Sequence, residues 1–356
     1  VEVVLTEYEK IYQFESLYQA YKATIKGKKE KKDVIQFELD LSNQLWKLHD
    51  ELQMKLYRLG RYHCFQIYDP KKREIQALSI RDRVVQHSIC DQVLKPYFEP
   101  RLIYDNAACR EGKGTRFATD RLTKFMRDFY KEHGTDGYIL KFDIRKFFDS
   151  IHHEVLKEKL CCISDEEVKE LLYHIIDSYA KEPEKDELSL RGLPLGNQTS
   201  QWFALWYLNG LDRLIKERLR IKYYSRYMDD GILIHEDKAY LSLCLKKMTE
   251  YVEQELKLSF NEKTQIFPIS QGTDYLGFRF YLTDTGKVIR RLRTSNKKRW
   301  KRRLKLYQKQ YRQGTKTFEE ITRSMKSYQG HLKYGNTYRL RAKVYQSFVL
   351  TKHSES

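Results

Sequence analysis

The chain has 356 residues, 41% hydrophobic and 33% charged, and a formal net charge of +18. That length buries a sizeable core without disulfides or a structural metal, and the short, charge-interrupted apolar runs offer nothing long enough to span a membrane. No secretory leader is recognised, and the six cysteines (64, 90, 109, 161, 162, 244) form no C-x-x-C pair or Cys/His cluster, so a cytoplasmic setting with reduced, mostly buried thiols is expected.

Along the chain, Phe14, Leu17, Tyr18 and Tyr21, then Leu41, Leu45, Leu48 and Leu52, recur at helical spacing. They predict two helices between about residues 8 and 58, joined by a charged loop with a basic patch at 26–32. From Cys64 the texture changes to an extended piece at 65–68, a turn at Asp69-Pro70-Lys71-Lys72, and a helix from about Asp82 to Lys95. Between residues 134 and 286, β-like runs at 138–142, 223–228, 232–235 and 275–281 alternate with helical stretches, which predicts a layered α+β unit. Thr294-Ser295-Asn296 is placed to cap a helix in which Trp300, Leu304, Tyr307 and Tyr311 share one face and cations the other. Gly314 ends that helix, and another begins near Phe318.

Between Lys287 and Lys343 stand 20 Lys and Arg against Glu319 and Glu320, a local charge of +18, while the rest of the chain carries 47 residues of each sign. A run of like charge is often only a solvated face. Concentrated in one helical segment, it also suits a partner with a dense phosphate backbone.

Two acidic segments stand out against that background. Lys141-Phe142-Asp143 delivers a carboxylate at the end of an apolar strand, and Met228-Asp229-Asp230-Gly231 sets two more at a hairpin tip, where Gly231 would relieve the turn. Alone, Asp-Asp-Gly is an ordinary turn. Carboxylates from two such segments are also what nucleotidyl transfer needs, because two hard divalent cations about 3.5–4 Å apart must be held by oxygen ligands.

Tyr227-Met228-Asp229-Asp230, 86 residues after the strand-end Asp143, resembles the catalytic core of reverse transcriptases. Other motifs of that family follow in order. The resemblance implies a right-hand polymerase fold: an N-terminal helical segment (1–64), fingers (65–137), a palm of antiparallel sheet plus helices (138–286, with a fingers insertion near 160–192), and a basic helical thumb (287–356). It implies two Mg2+ ions on Asp143, Asp229 and Asp230, with Mn2+ as a substitute, and binding of deoxynucleoside triphosphates, template RNA and RNA/DNA hybrid. Lys72 and Arg73 would meet the triphosphate and Arg110 the template or nucleotide. Ile144 and Phe148 follow the first aspartate, and Phe148 would close the pocket against a 2′-hydroxyl, although Phe147 and Phe148 also read as a core pair. Gly196, Asn197 and Gln198 lie in the nucleotide loop. Lys263, otherwise a surface lysine on a turn, would protonate pyrophosphate. Tyr227, Met228, Tyr275, Leu276 and Gly277 would hold the primer end, and Lys297, Lys298, Arg299, Arg302 and Arg303 the hybrid backbone. His331 reads as structural.

The loop Leu195-Gly196-Asn197-Gln198-Thr199-Ser200-Gln201 is similar to that of diversity-generating retroelement enzymes. This implies a bacterial protein with a dedicated non-coding RNA, a small accessory protein and error-prone copying at template adenines. Defence-associated reverse transcriptases carry similar loops, and a non-catalytic RNA-binding or splicing-helper protein is a third reading. No length is left after the thumb for an RNase H, endonuclease or integrase domain, so template removal and target cutting are expected to come from other proteins or not to occur.

Overall fold

The computed structural model describes residues 4–68, 72–179 and 190–351. Four short helices open the chain rather than two longer ones: Glu7–Tyr12, Phe14–Ile25, Lys32–Glu38 and Leu41–Gln53. Thr6 and Glu9 form a capping box on the first. Gln13, with φ −53 and ψ 136, breaks the run after Tyr12, and Lys32, the last residue of the basic patch, already starts the third helix. Neither Gln13 nor Leu39-Asp40, where the third helix gives way to the fourth, is a glycine or proline, so no local breaker signal marks these ends.

Strands β1 (His63–Ile67) and β2 (Arg73–Ala77) pair antiparallel, with β1 exposed throughout. Of the turn predicted between them, Asp69, Pro70 and Lys71 lie outside the described residues. The next helix, Ile80–Ile89, starts two residues before the predicted Asp82, because the Ser79 hydroxyl accepts from the Asp82 N–H. It continues through a π turn, Cys90–Leu94, into Lys95–Phe98.

Four strands organise the core: β3 (Tyr138–Asp143), β4 (Tyr223–Tyr227), β5 (Asp230–His235) and β6 (Gln265–Pro268). They lie in the order β4-β5-β3-β6, all neighbours antiparallel. Alternation sends Leu140, Phe142, Tyr224 and Leu233 into one core and Ile139, Tyr223, Ile232 and Ile234 into another. The second core is shared with the helix Thr115–His133 and with a smaller antiparallel sheet of β7 (Thr273–Tyr275), β8 (Phe278–Leu282) and β9 (Val288–Leu292). With both faces covered, the larger sheet offers polar chemistry at its strand ends.

The run predicted at 275–281 breaks at Leu276-Gly277, whose φ values of 45 and 92 make the two-residue turn from β7 to β8. Helices Thr294–Arg312, Phe318–Leu332 and Tyr338–Gln346 follow. The predicted Thr294-Ser295-Asn296 cap does not form: Thr294 is already helical, and Arg293 sits at the cap position with no side-chain hydrogen bond to the helix start. Asn296 instead donates from Nδ2 to the Gly277 carbonyl at 3.1 Å.

All six cysteines are free, but only Cys90 and Cys244 are buried. Cys64 lies on exposed β1, Cys109 takes a left-handed turn (φ 53), and Cys161 and Cys162 follow the end of the helix His153–Leu160, so the expected burial fails for these four. Among the described residues no helix is long and apolar enough to cross a membrane.

Candidate active site

The pairing of β3 with β5 sets Asp143 opposite Asp230. Directly opposed residues of an antiparallel pair share a face, with Cα atoms about 4.5–5.5 Å apart. Asp229 stands one residue earlier, in the turn Met228-Asp229 that joins β4 to β5, where Tyr227 pairs with Asp230. Burial first, then the charges of Asp143 and Asp230, push the Asp229 carboxyl up to about 6. Asp230 is raised too, again chiefly by burial, while Lys141, with Nζ 3.4 Å from Oδ1, pulls the other way.

Three residues that sequence alone does not single out complete this cluster. Asn261 donates from Nδ2 to Asp143 Oδ2 at 3.1 Å, and its position is set by backbone pairing that local patterns cannot show. Lys141 also donates to the Asp274 carbonyl at 2.9 Å. It carried a readable signal, a cation two residues before Asp143 and so on the same face of the strand. Arg226 lies wholly buried beneath the hairpin.

The donor set fits a hard divalent cation: three carboxylates from adjacent strand ends, oxygen ligands only, and one buried oxygen, Asp230 Oδ1, with no hydrogen-bond partner beyond its ion-pair contact with Lys141. As the side chains lie, Asn261 and Lys141 engage Asp143 and Asp230. Among the described residues no three His, Cys, Asp or Glu side chains close round one point.

Gly231 does not make the turn. It lies within β5, and the left-handed conformation falls on Met228 (φ 57). Gly231 is needed for space instead, because a Cβ there would collide with the ring of Phe142, its register partner.

Lys72 and Arg73 are exposed at the start of β2. The 192–201 loop packs on that strand: Gln76 N donates to the Leu195 carbonyl at 3.4 Å, and a Cβ on Gly196 (φ 118) would stand 3.5 Å from Ile75 Cγ2. Hairpin and loop therefore form one wall. Phe148 is half-buried while Phe147 is buried, so the two adjacent rings separate in environment. Leu193 N donates to the Phe148 carbonyl at 2.7 Å and ties the loop to the Asp143 segment. Gln198 is half-buried with Oε1 unpartnered, whereas Asn197 and Ile144 are buried.

Arg110 is turned inward. It donates to the carbonyls of Ile103 (2.8 Å) and Asn106 (3.1 Å) and approaches Glu99 at 3.4 Å. Its guanidinium organises the 99–110 loop and is not presented to a nucleotide. Lys263 is exposed on a turn, its N–H donating to Asn261 Oδ1 at 3.1 Å.

Tyr227 and Met228 are half-buried beside the acidic turn. Tyr275 is 1% exposed, so its side chain lies inside the protein and does not face a bound strand, leaving Leu276 and Gly277 at the tip of that hairpin. The Gly277 carbonyl accepts from Arg293 N and Asn296 Nδ2, both at 3.1 Å, which joins the hairpin to the start of the basic helix. Lys297, Lys298, Arg299, Arg302 and Arg303 are all exposed. Next to them a cavity of about 710 Å³ is lined by Arg279, Arg291, Arg293, Lys297 and Arg339. Asp274, also in its lining, is held by Arg293 (3.1 Å) and Arg279 (3.5 Å).

No curated protein matches the sequence. Solved structures similar to it include the apo telomerase from Candida tropicalis truncated from the C-terminal domain (18% identity, TM-score 0.47, covering 65% of this chain and 54% of that one). The apo telomerase from Candida tropicalis is similar at 16% identity and TM-score 0.49, covering 65% of this chain and 49% of that one. The telomerase from Candida albicans, in complex with a TWJ fragment of telomeric RNA, is similar at 14% identity and TM-score 0.49, covering 87% of this chain and 62% of that one. The chain thus spans about half to three fifths of the length of these telomerase chains. Residues 69–280, more than half of the sequence, match the family described as reverse transcriptase (RNA-dependent DNA polymerase), and the chain belongs to that family.

Proposed function

We propose that this chain makes DNA on an RNA template by nucleotidyl transfer at Asp143, Asp229 and Asp230, the ligands for two Mg2+ ions or for Mn2+ in their place. The observation that carries the reading is the register of β3 against β5, which puts Asp143 opposite Asp230 with Asp229 in the adjoining turn. When bound, the ions activate the attacking 3′ oxygen and neutralise the leaving pyrophosphate.

The protein's part is binding and orientation. Lys72 and Arg73 meet the triphosphate, with the 192–201 loop behind them. Phe148 stands against the sugar, and Lys263 gives a proton to the departing pyrophosphate. Leu276 and Gly277 hold the primer end, with Tyr227 and Met228 beside it. Lys297, Lys298, Arg299, Arg302 and Arg303, with the cation-lined cavity at their base, take the phosphates of the hybrid by charge and shape. In this reading residues 1–64 form an N-terminal helical segment, 65–137 the fingers, 138–286 the palm with an insertion near 160–192, and 287–356 the thumb.

The finer assignment is a bacterial retroelement enzyme working with a dedicated structured RNA and an accessory protein in sequence diversification. The wording of residues 195–201 supports it. Identifying the RNA that co-purifies tests it: a repeat-containing template RNA supports diversification, and an unrelated small RNA supports a defence role. For the chemistry, Asp229→Asn should abolish deoxynucleotide incorporation on an RNA template while hybrid binding persists. Extension by that variant would overturn the reading.

A further inference from the structure

Arg226 and Asp212 are both wholly buried, and the guanidinium grips the carboxylate as a fork, Nε to Oδ1 at 2.7 Å and Nη2 to Oδ2 at 2.6 Å. Tyr224 donates its hydroxyl to Asp212 Oδ1 at 2.6 Å. The remaining guanidinium donor, Nη1, reaches the carbonyl of Met228 at 2.6 Å, and Nη2 also faces the Leu205 carbonyl at 3.3 Å. Arg226 further joins residues 105–107 through its backbone, its N–H donating to the Asp105 carbonyl (3.1 Å) and its carbonyl accepting from Ala107 N (2.9 Å).

Stability does not explain this arrangement. A buried ion pair can often be replaced by well-packed apolar side chains without loss. A rigid fork of five donors does what no apolar residue can, since it fixes several acceptors at once. Here the acceptors lie on the acidic turn, on the helix Asn209–Arg213 and on the helix Gln198–Tyr207 that leads out of the nucleotide loop. The turn is the part most in need of fixing, because Met228 holds a left-handed φ of 57 that side-chain-bearing residues disfavour.

We infer that Arg226, braced by Asp212, is a positioning residue that locks the Met228 carbonyl, and through it the place of the Asp229 carboxylate, in step with the nucleotide-loop helix. With no exposed atom, it acts on the reaction only through Asp229 and the loop. The inference rests on the proposed role of Asp229.

The test compares the full chain with three variants: Arg226→Lys, the double variant Arg226→Met with Asp212→Leu, and Asp229→Asn. Each is measured for thermal melting, for Mn2+ affinity by calorimetry on metal-free protein, and for kcat and KM in primer extension. Lysine keeps the charge but cannot serve Asp212 and Met228 together, so Arg226→Lys should lose about 10- to 100-fold in Mn2+ affinity and in kcat with KM little changed. The double variant removes both charges and should melt close to the parent while showing the same losses. Recovery of kcat and Mn2+ affinity along with stability in the double variant would mean the pair is only structural. Should the double variant not fold, Arg226→Lys decides alone: parental kcat and Mn2+ affinity in it overturn the inference. If Asp229→Asn loses Mn2+ binding and extension while the Arg226 variants keep both, only the brace falls. If Asp229→Asn keeps both, the carboxylate reading falls with it.

Discussion

Asn261 and Asp143 are joined twice: Asn261 N donates to the Asp143 carbonyl at 2.7 Å, and Asn261 Nδ2 donates to Asp143 Oδ2 at 3.1 Å. The second bond orients the Asp143 carboxylate. Asn261→Ala should lower primer extension about 10- to 100-fold, the usual effect of removing an outer-shell partner, and change stability by about 1 kcal/mol. Single-turnover extension and thermal melting check this; an unchanged rate would show that the amide does not orient Asp143.

Asp229 keeps its proton up to about pH 6 in the folded chain, against 3.8 for an ordinary aspartate. Between those values the folded state binds the extra proton, so this group's contribution to stability is greatest at low pH and is lost as pH rises through about 6. Metal-free protein should therefore show, relative to Asp229→Asn, a melting temperature that declines from pH 4 toward pH 7. Polymerisation should run the other way and weaken below about pH 6, because the protonated acid is a poor cation ligand. Parallel melting profiles for the two proteins would contradict the shift.

Phe148 is half-buried next to the buried Phe147, and in the proposed role its ring walls the sugar pocket. Phe148→Ala should admit ribonucleotides, read as a rise in ribonucleotide over deoxynucleotide kcat/KM. Sugar discrimination equal to the parent's would remove the role.

Neutralising Lys297, Lys298, Arg299, Arg302 and Arg303 should weaken hybrid binding and flatten its salt dependence by about 0.7–0.9 in log–log slope for each phosphate no longer neutralised. Fluorescence anisotropy over a salt series measures this. A parental slope would mean that the exposed face of the Thr294–Arg312 helix does not track the backbone.

Gly231→Ala places a methyl group against the Phe142 ring. Overpacking in a well-filled core costs typically about 1–3 kcal/mol, and here the strain falls on the register between Asp143 and Asp230. Activity should fall more than melting temperature, and Phe142→Leu should rescue part of it by vacating the space.

Strand ends were legible because alternation is visible in short windows: the strands at Tyr138, Tyr223 and Asp230 lie within two residues of where the pattern puts them. The proximity of Asp143 to the Asp229-Asp230 pair is legible only through resemblance to a family, since an 86-residue spacing from Asp143 to Asp229 contains no geometry. What escaped depends on partners distant in the chain. Gly231 looks like a turn residue until Phe142 is seen beside it, and Asn261 is featureless until β3 reaches it. Arg110 resembles a ligand-facing arginine until its bonds to Ile103 and Asn106 are drawn. The helix break at Gln13 is hidden for a different reason, namely that no glycine or proline marks it.

Lys141 gives the acidic hairpin a resident counter-charge. Its ammonium lies against Asp230 and is tethered to the Asp274 carbonyl, so a chain stripped of divalent ions does not confront three bare anions across one strand pair. Arrival of a divalent cation at the proposed site would then be an exchange, one cation yielding to another. An incoming ion would have to displace the lysine from Asp230 Oδ1 to use that oxygen.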